Sequence, residues 1–331
     1  MWATFLPGEW QKFDLRKQPL CVRLFDFGDR IMSADGYGTQ LSIAVVVATL
    51  GRPQLVEQMH RLMSEQTCPP DLLIFSVVSD ADLPPGYADR PDVRVLRGPK
   101  GLCAQRNRAL DSVGGDYDLV VFYDDDFVPS PDSIDRIKKF FGSHPDVVGA
   151  TGNVIRDGIN GPGLSFDQAR DLIAGHELKR FSPNCIVTSL QGLYGCNMVY
   201  RASAIGTSRF DERLRLYGWQ EDVDFASSLS SRGRIVKTFA FSGVHLGVKY
   251  GRTSGVKLGY SQVINPIYLV RKGTMSFGFA ARLIARNVVA NHVRTLKPEP
   301  WVDRVGRLRG NWLAARDLLL GRLAPERIET L

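Results

Sequence analysis

Three consecutive carboxylates close an apolar run in VVFYDDDFVP, residues 120–129. Like charges repel, so Asp124, Asp125 and Asp126 need a compensating partner. Oxygen donors packed this closely suit a hard divalent cation, Mg2+ or Mn2+, which takes its remaining ligands from phosphate and water. A solvated acidic turn is the plainer alternative, because Asp is favoured in turns. No GxxxxGK[ST] loop occurs, and no GxGxxG follows the first predicted strand. A phosphate-bearing ligand would therefore be held through the cation. A second acidic group lies in YGWQEDVDFA, residues 217–226. Asp222 there is a candidate carboxylate base, and equally a good first-turn helix residue favoured by the helix dipole. His245, in FSGVHLGVKYGR, is a lone histidine, a type more often structural than ligating.

These groups need a scaffold. IAVVVA (43–48) and DLLIFSVV (71–78) read as strands buried on both faces, because their apolar residues do not alternate with polar ones, and VRVL (93–96) and DLVVFY (118–123) read as a short third and a fourth strand. Helical faces fall between them: Leu55, Met59, Leu62 and Met63, then residues 101–113, then a helix opening near Pro131 with Ile134, Ile137 and Phe141 inward. Strand alternating with helix predicts an α/β fold with a mostly parallel, Rossmann-like central sheet and flanking helices. Ligands of such sheets sit beyond the carboxyl ends of the strands, which is where the three aspartates fall. Past residue 150 the periodicity fades. MVYR (198–201) reads as a strand, 221–233 as a helix, and 277–294 and 301–320 as amphipathic helices. Residues 1–40 read as an N-terminal extension, 41–270 as the main α/β domain in two halves (41–130 and 131–270), and 271–331 as a basic helical tail.

The tail holds twelve Lys or Arg against five acids, the whole of the net charge of +7. Basic amphipathic helices carrying Trp301 and Trp312 suit an anionic membrane surface; packing on the main domain, or pairing in a homodimer, is the alternative. Nucleic acid is not expected, since no recognisable binding module accompanies the charge. The five cysteines are scattered, with no CxxC spacing. A zinc site is therefore not expected, and a reducing, cytoplasmic location fits, peripheral on the inner membrane face if the tail binds lipid. MWATFLPGEWQKF is broken by Pro7, Gly8 and Glu9, and no apolar run reaches 18 residues. Neither a signal peptide nor a transmembrane helix is expected.

VVVATLGRP, VVSDAD, GLCAQRNRAL, VVFYDDDFVP and GWQEDVDF, in this order, resemble the family 2 glycosyltransferases of the GT-A fold over about residues 41–250. The resemblance implies an inverting, metal-dependent enzyme that moves one sugar from a nucleotide-sugar, UDP by default, to an acceptor hydroxyl. The acceptor would be a carbohydrate or a lipid-linked carbohydrate, as in cell-surface polysaccharide or glycolipid synthesis. It implies nucleotide contacts at Thr49, Arg52, Asp80, Arg106, Asn107, Asp124 and Asp125, and metal ligands at Asp124, Asp126 and His245. It implies a catalytic base at Asp222, with Asp224 as fallback and Glu221 orienting the acceptor or the base. Trp219 would offer an apolar platform to a sugar ring, or simply pack in the core. Lys249, Arg252 and Lys257 would form a loop over the pyrophosphate, or a solvated basic loop. The chain lacks the QxxRW motif of processive synthases. A sugar-phosphate nucleotidyltransferase is the nearest enzymatic alternative, though TLGRP is a poor match to its loop. A catalytically silent subunit that binds nucleotide-sugar is the alternative from another class.

Overall fold

The computed structural model describes residues 41–177, 186–187, 190, 192–251 and 254–331. The predicted extension, residues 1–40, and Arg252 lie outside them. The first half forms as the apolar pattern dictates. β1 (Ile43–Ala48), β2 (Leu72–Val77), β3 (Arg94–Arg97) and β4 (Leu119–Asp124) run parallel in the order β3-β2-β1-β4. Successive residues of a strand point to opposite faces. Ile43, Val45 and Val47 accordingly pack with Val56, Met59 and Met63 of α1 (Pro53–Ser64). Ala44 and Val46 pack with Cys103, Ala109 and Leu110 of α2 (Leu102–Val113) on the other face.

The second half continues the same sheet. In chain order it adds β5 (Phe127–Pro129), α3 (Ser133–Ser143), β6 (Val147–Asp157), α4 (Phe166–Glu177), β7 (Ile186–Val187), β8 (Asn197–Arg201), α5 (Ala202–Ile205), α6 (Glu221–Leu229) and β9 (Arg234–His245). The strand order runs on as β4-β8-β6-β9-β5, with β7 also on β9. β4 and β5 are thus four strand positions apart, about 19 Å in a flat sheet. Only Asp125 and Asp126 join them, and Asp124 to Phe127 spans at most about 11 Å. The sheet must therefore curl back on itself at the acidic triplet, which brings the end of β9 beside the end of β4.

Three elements differ from expectation. α3 begins two residues past Pro131. β6 occupies a stretch whose glycines look loop-like; they are there for close packing, since a Cβ on Gly152 would stand 2.4 Å from the Phe241 ring. The glycine-containing stretch after Tyr250 enters a further helix, α7 (Gly255–Lys272), which carries Lys257, encloses Pro266 and crosses the expected boundary at residue 270.

α8 (Phe277–Thr295) and α9 (Arg304–Leu319) pack on α7. α8 turns Ala280 and Asn291 inward, with Ile284 and Val288 partly covered, while Phe277 is exposed. α9 approaches α7 through small residues. A Cβ on Gly310 would lie 2.1 Å from the Val256 carbonyl oxygen, and one on Gly259 2.1 Å from that of Arg307. Asn311 Nδ2 donates to the Gly259 carbonyl at 2.7 Å across this crossing. Gly310→Val should destabilise the protein by about 1–3 kcal/mol through overpacking. Thermal melting checks this, and an unchanged midpoint would mean the helices can separate freely. No helix among the described residues is long and apolar enough to cross a membrane.

Candidate active site

The acidic triplet divides into two jobs. Asp125 is buried and its carboxylate is taken by the turn after β1: Thr49 Oγ1 donates to Oδ2 at 2.7 Å, and Arg52 Nη1 to Oδ1 at 2.8 Å. Arg52 also donates to the Tyr250 carbonyl at 2.9 Å and lies over the Tyr250 ring. Burial pushes the Asp125 carboxyl up to about 6 despite Arg52. Asp124 and Asp126 remain, and with His245 their ligand atoms all lie within 4.8 Å of one another. His245 ends β9, and the pairing of Phe127 with His245 fixes it against the residue after Asp126. The Asp126 main-chain oxygen accepts from Leu246 N at 2.9 Å, and its Oδ2 from Val248 N at 2.8 Å. The sheet itself therefore holds the two side chains together.

His245 is oriented from behind. β6 pairs with β9 so that Asp157 stands directly beside His245. His245 Nδ1 lies 2.9 Å from Asp157 Oδ1, and Tyr194 Oη donates to Asp157 Oδ2 at 2.6 Å. A hydrogen bond from Nδ1 to a carboxylate leaves Nε2 as the ligating nitrogen, an arrangement common at metal centres. Nε2 lies 3.3 Å from Asp126 Oδ1. Burial alone would lower the imidazole, but Asp126 and Asp157 hold it well above its ordinary value. Burial would likewise raise Asp126, yet His245 and the Val248 amide keep it below the usual carboxylate range. Two carboxylates and an oriented imidazole, largely shielded from water, are a donor set that fits a divalent cation. Asp157→Asn should weaken Mn2+ binding about 10–100-fold by releasing the ring. A calorimetric Mn2+ titration reads this directly, and parental affinity would show that Asp157 does not orient His245.

The segment Tyr194-Gly195-Cys196 touches every part of the site. Tyr194 reaches Asp157, the Cys196 carbonyl accepts from Asp124 N at 3.3 Å, and Gly195 N donates to Asp222 Oδ2 at 2.9 Å. A side chain on Gly195 would crowd the Glu221 and Asp222 carboxylates, with its Cβ 3.3 Å from Asp222 Oδ2. Asp222 lies in the first turn of α6, entered through Gln220 at a φ of 75°, a strained value for a residue with a side chain. Burial raises the Asp222 carboxyl against the bonds from Val223 N and Gly195 N. A carboxylate raised in this way is a better proton acceptor than an ordinary one.

Several expected contacts turn inward instead. Arg106 is 2% exposed and bridges the two halves of the site. It donates to Glu221 Oε1 at 2.5 Å, to Asp124 Oδ1 at 3.2 Å and to the Gly195 carbonyl at 3.0 Å, with its guanidinium against the rings of Phe122 and Phe210. Asn107 points away from the cluster. Its carboxamide pairs with both the N–H and the carbonyl of Phe210 and with Glu212, so it is used up in the fold. Glu221 is buried on Arg106 rather than turned toward an acceptor, and burial pushes its carboxyl up to about 8. Asp224 is buried and taken by Lys272 Nζ at 2.7 Å and Thr274 Oγ1 at 2.6 Å, which removes it as a fallback base. Trp219 is half-buried and packs on the core. Asp80 is exposed, paired with Arg97 at 2.6 Å. Lys249 donates to the carbonyls of Gly158 and Ile159, and Lys257 lies on α7 rather than in a loop.

Three residues of consequence escaped the sequence reading. Asp157 and Tyr194 carry no local signature, because only the β6–β9 pairing brings them to His245. Asp82 binds Gly51 N, Val78 N and Ser79 N and so ties the turn after β1 to that after β2. Its signal was present in SDAD, a serine with an acid three residues on.

A parallel α/β half joined through a curled sheet to a half of mixed strand direction, with acids at the junction, defines the GT-A class of glycosyltransferase. Residues 45–207 match the model of glycosyl transferase family 2, and that stretch is a family 2 glycosyltransferase domain. Solved structures share the fold. The mannosyltransferase PcManGT from Pyrobaculum calidifontis, in complex with GDP-Man and Mn2+, is 16% identical with a TM-score of 0.52, covering 98% of this chain and 90% of that one. S. aureus TarS 1–349 is 15% identical with a TM-score of 0.50, covering 88% and 83%. TarS 1–349 in complex with UDP-GlcNAc is 16% identical with a TM-score of 0.51, covering 88% and 84%. Among curated proteins, no sequence matches.

Proposed function

We propose that this glycosyltransferase moves a single sugar, with inversion, from a nucleoside-diphosphate sugar to an acceptor hydroxyl, and that Asp124, Asp126 and His245 hold a divalent cation for the donor. The observation that carries this reading is the meeting of those three side chains at the curl of the sheet, with Asp222 linked to them through Gly195 and Cys196. The complexes of the fold relatives with GDP-Man and Mn2+ and with UDP-GlcNAc support it. When bound, the cation would neutralise the charge that develops on the leaving diphosphate. Asp222 takes the proton of the acceptor hydroxyl as its oxygen attacks the anomeric carbon. The bond from that carbon to the diphosphate oxygen breaks, and the electron pair leaves with the nucleoside diphosphate. Arg106 fixes Asp124 relative to α6, so that donor and base keep one geometry. Thr49, Arg52 and Asp125 brace the turn beneath the nucleotide, and Asp80, in the exposed turn after β2, meets the nucleobase. The acceptor is a carbohydrate or lipid-linked carbohydrate of cell-surface polysaccharide synthesis.

A panel of nucleotide-sugars with Mn2+, Mg2+ or chelator tests this. The expected result is that one donor binds, and is slowly hydrolysed, only with metal. If no donor responds to metal, the assignment of the cluster fails.

A further inference from the structure

The outer faces of α8 and α9 form one surface that the transfer reaction does not use. On α8, Val289, Val293 and Leu296 are exposed at 60%, 61% and 90% and lie at three- and four-residue spacing, on one side of the helix. On α9, Val305, Trp312, Leu319 and Leu320 are exposed at 53%, 63%, 89% and 54%, again on one side. The ring of Trp312 meets His292 of α8 edge-on, centroids 5.9 Å apart, which sets the two strips side by side. Exposed arginines lie along them: Arg282 and Arg286 on α8, and Arg309 and Arg316 on α9. The five acids of this segment are engaged elsewhere. Glu299 pairs with Arg294 and Arg304, Asp303 caps α9 at Gly306 N, and Asp317 holds Arg327. Glu326 and Glu329 reach Arg213 and Arg215 of the catalytic domain.

We propose that this face docks on an anionic lipid bilayer. Exposed Trp, Leu and Val beside the exposed Arg309 and Arg316 match the boundary between acyl chains and negative headgroups. A second copy of the chain is a poor occupant, because it would set arginine against arginine. The inference stands apart from the transfer reading, since it concerns binding alone.

Co-sedimentation of the full chain with vesicles tests it. Binding is expected to phosphatidylglycerol–phosphatidylcholine vesicles, weakening as salt rises, and not to phosphatidylcholine alone. Arg309→Gln with Arg316→Gln should weaken binding at least about tenfold. Trp312→Ser should weaken it as well, with circular dichroism and melting unchanged because the ring is mostly exposed. Failure to bind either vesicle, or equal binding to both, overturns the proposal. So does a concentration-dependent dimer that Trp312→Ser abolishes, which would assign the face to a second copy.

Discussion

Asp222→Asn is expected to lower the transfer rate about 10²–10⁴-fold, the usual contribution of a positioned base. Asparagine keeps the size of the side chain, and its oxygen can still accept from Gly195 N, so the turn into α6 should survive. It cannot take the acceptor proton. Donor affinity should hardly change, because the residues assigned to the cation and nucleotide are untouched, and the loss should appear in kcat. The parent should lose activity as pH falls through the Asp222 carboxyl. Burial sets that limb above the ordinary aspartate value, and the variant should lack it. Steady-state kinetics across pH, beside donor binding by calorimetry, decides the matter. A variant with near-parental kcat would remove Asp222 from the reaction.

Arg106→Met is expected to cost about 3–5 kcal/mol of stability, because it leaves Glu221 and Asp124 without their shared cation in a dry interior. For a chain of this size that is a fall in melting temperature of roughly 10 °C. Arg106→Lys should rescue only part, since one ammonium cannot reproduce a planar fork that meets Glu221, Asp124 and the Gly195 carbonyl together. Adding Glu221→Gln to Arg106→Met should recover much of the loss by discharging the stranded partner. Denaturant unfolding of the three variants measures this. If Arg106→Met melts with the parent, the clamp is not holding the two halves.

The sequence made one half of the molecule plain and obscured the other for identifiable reasons. Strands β1, β2 and β4 are buried on both faces, so their runs of Val, Ile and Leu announce them, while β3 is a partly exposed edge strand. β6 was hidden because its apolar pattern is broken by Gly149 and Gly152, which make room for Tyr200 and Phe241. α7 was hidden by Pro266 and by the glycines that admit α9. In the site, the acids before Pro129 and the acids of GWQEDVDF were visible as chemistry. Their division of labour was not. Nothing local distinguishes Asp125, bound to Thr49 and Arg52, from its neighbours. The inward turn of Arg106 and Glu221 follows from a contact between residues 115 positions apart.

The grip of Lys272 on Asp224 has a consequence for how the enzyme is assembled. The stretch that marks the family ends at residue 207, ahead of Asp222, His245 and Lys272. That stretch holds Asp124 and Asp126, but His245 comes later on β9, and Asp222, the proposed base, rides on a helix whose buried Asp224 is anchored to the C-terminal end of α7. Catalytic alignment in this chain is therefore cantilevered from its C-terminal helices, and shortening the protein there would loosen the chemistry before it touched the acidic triplet.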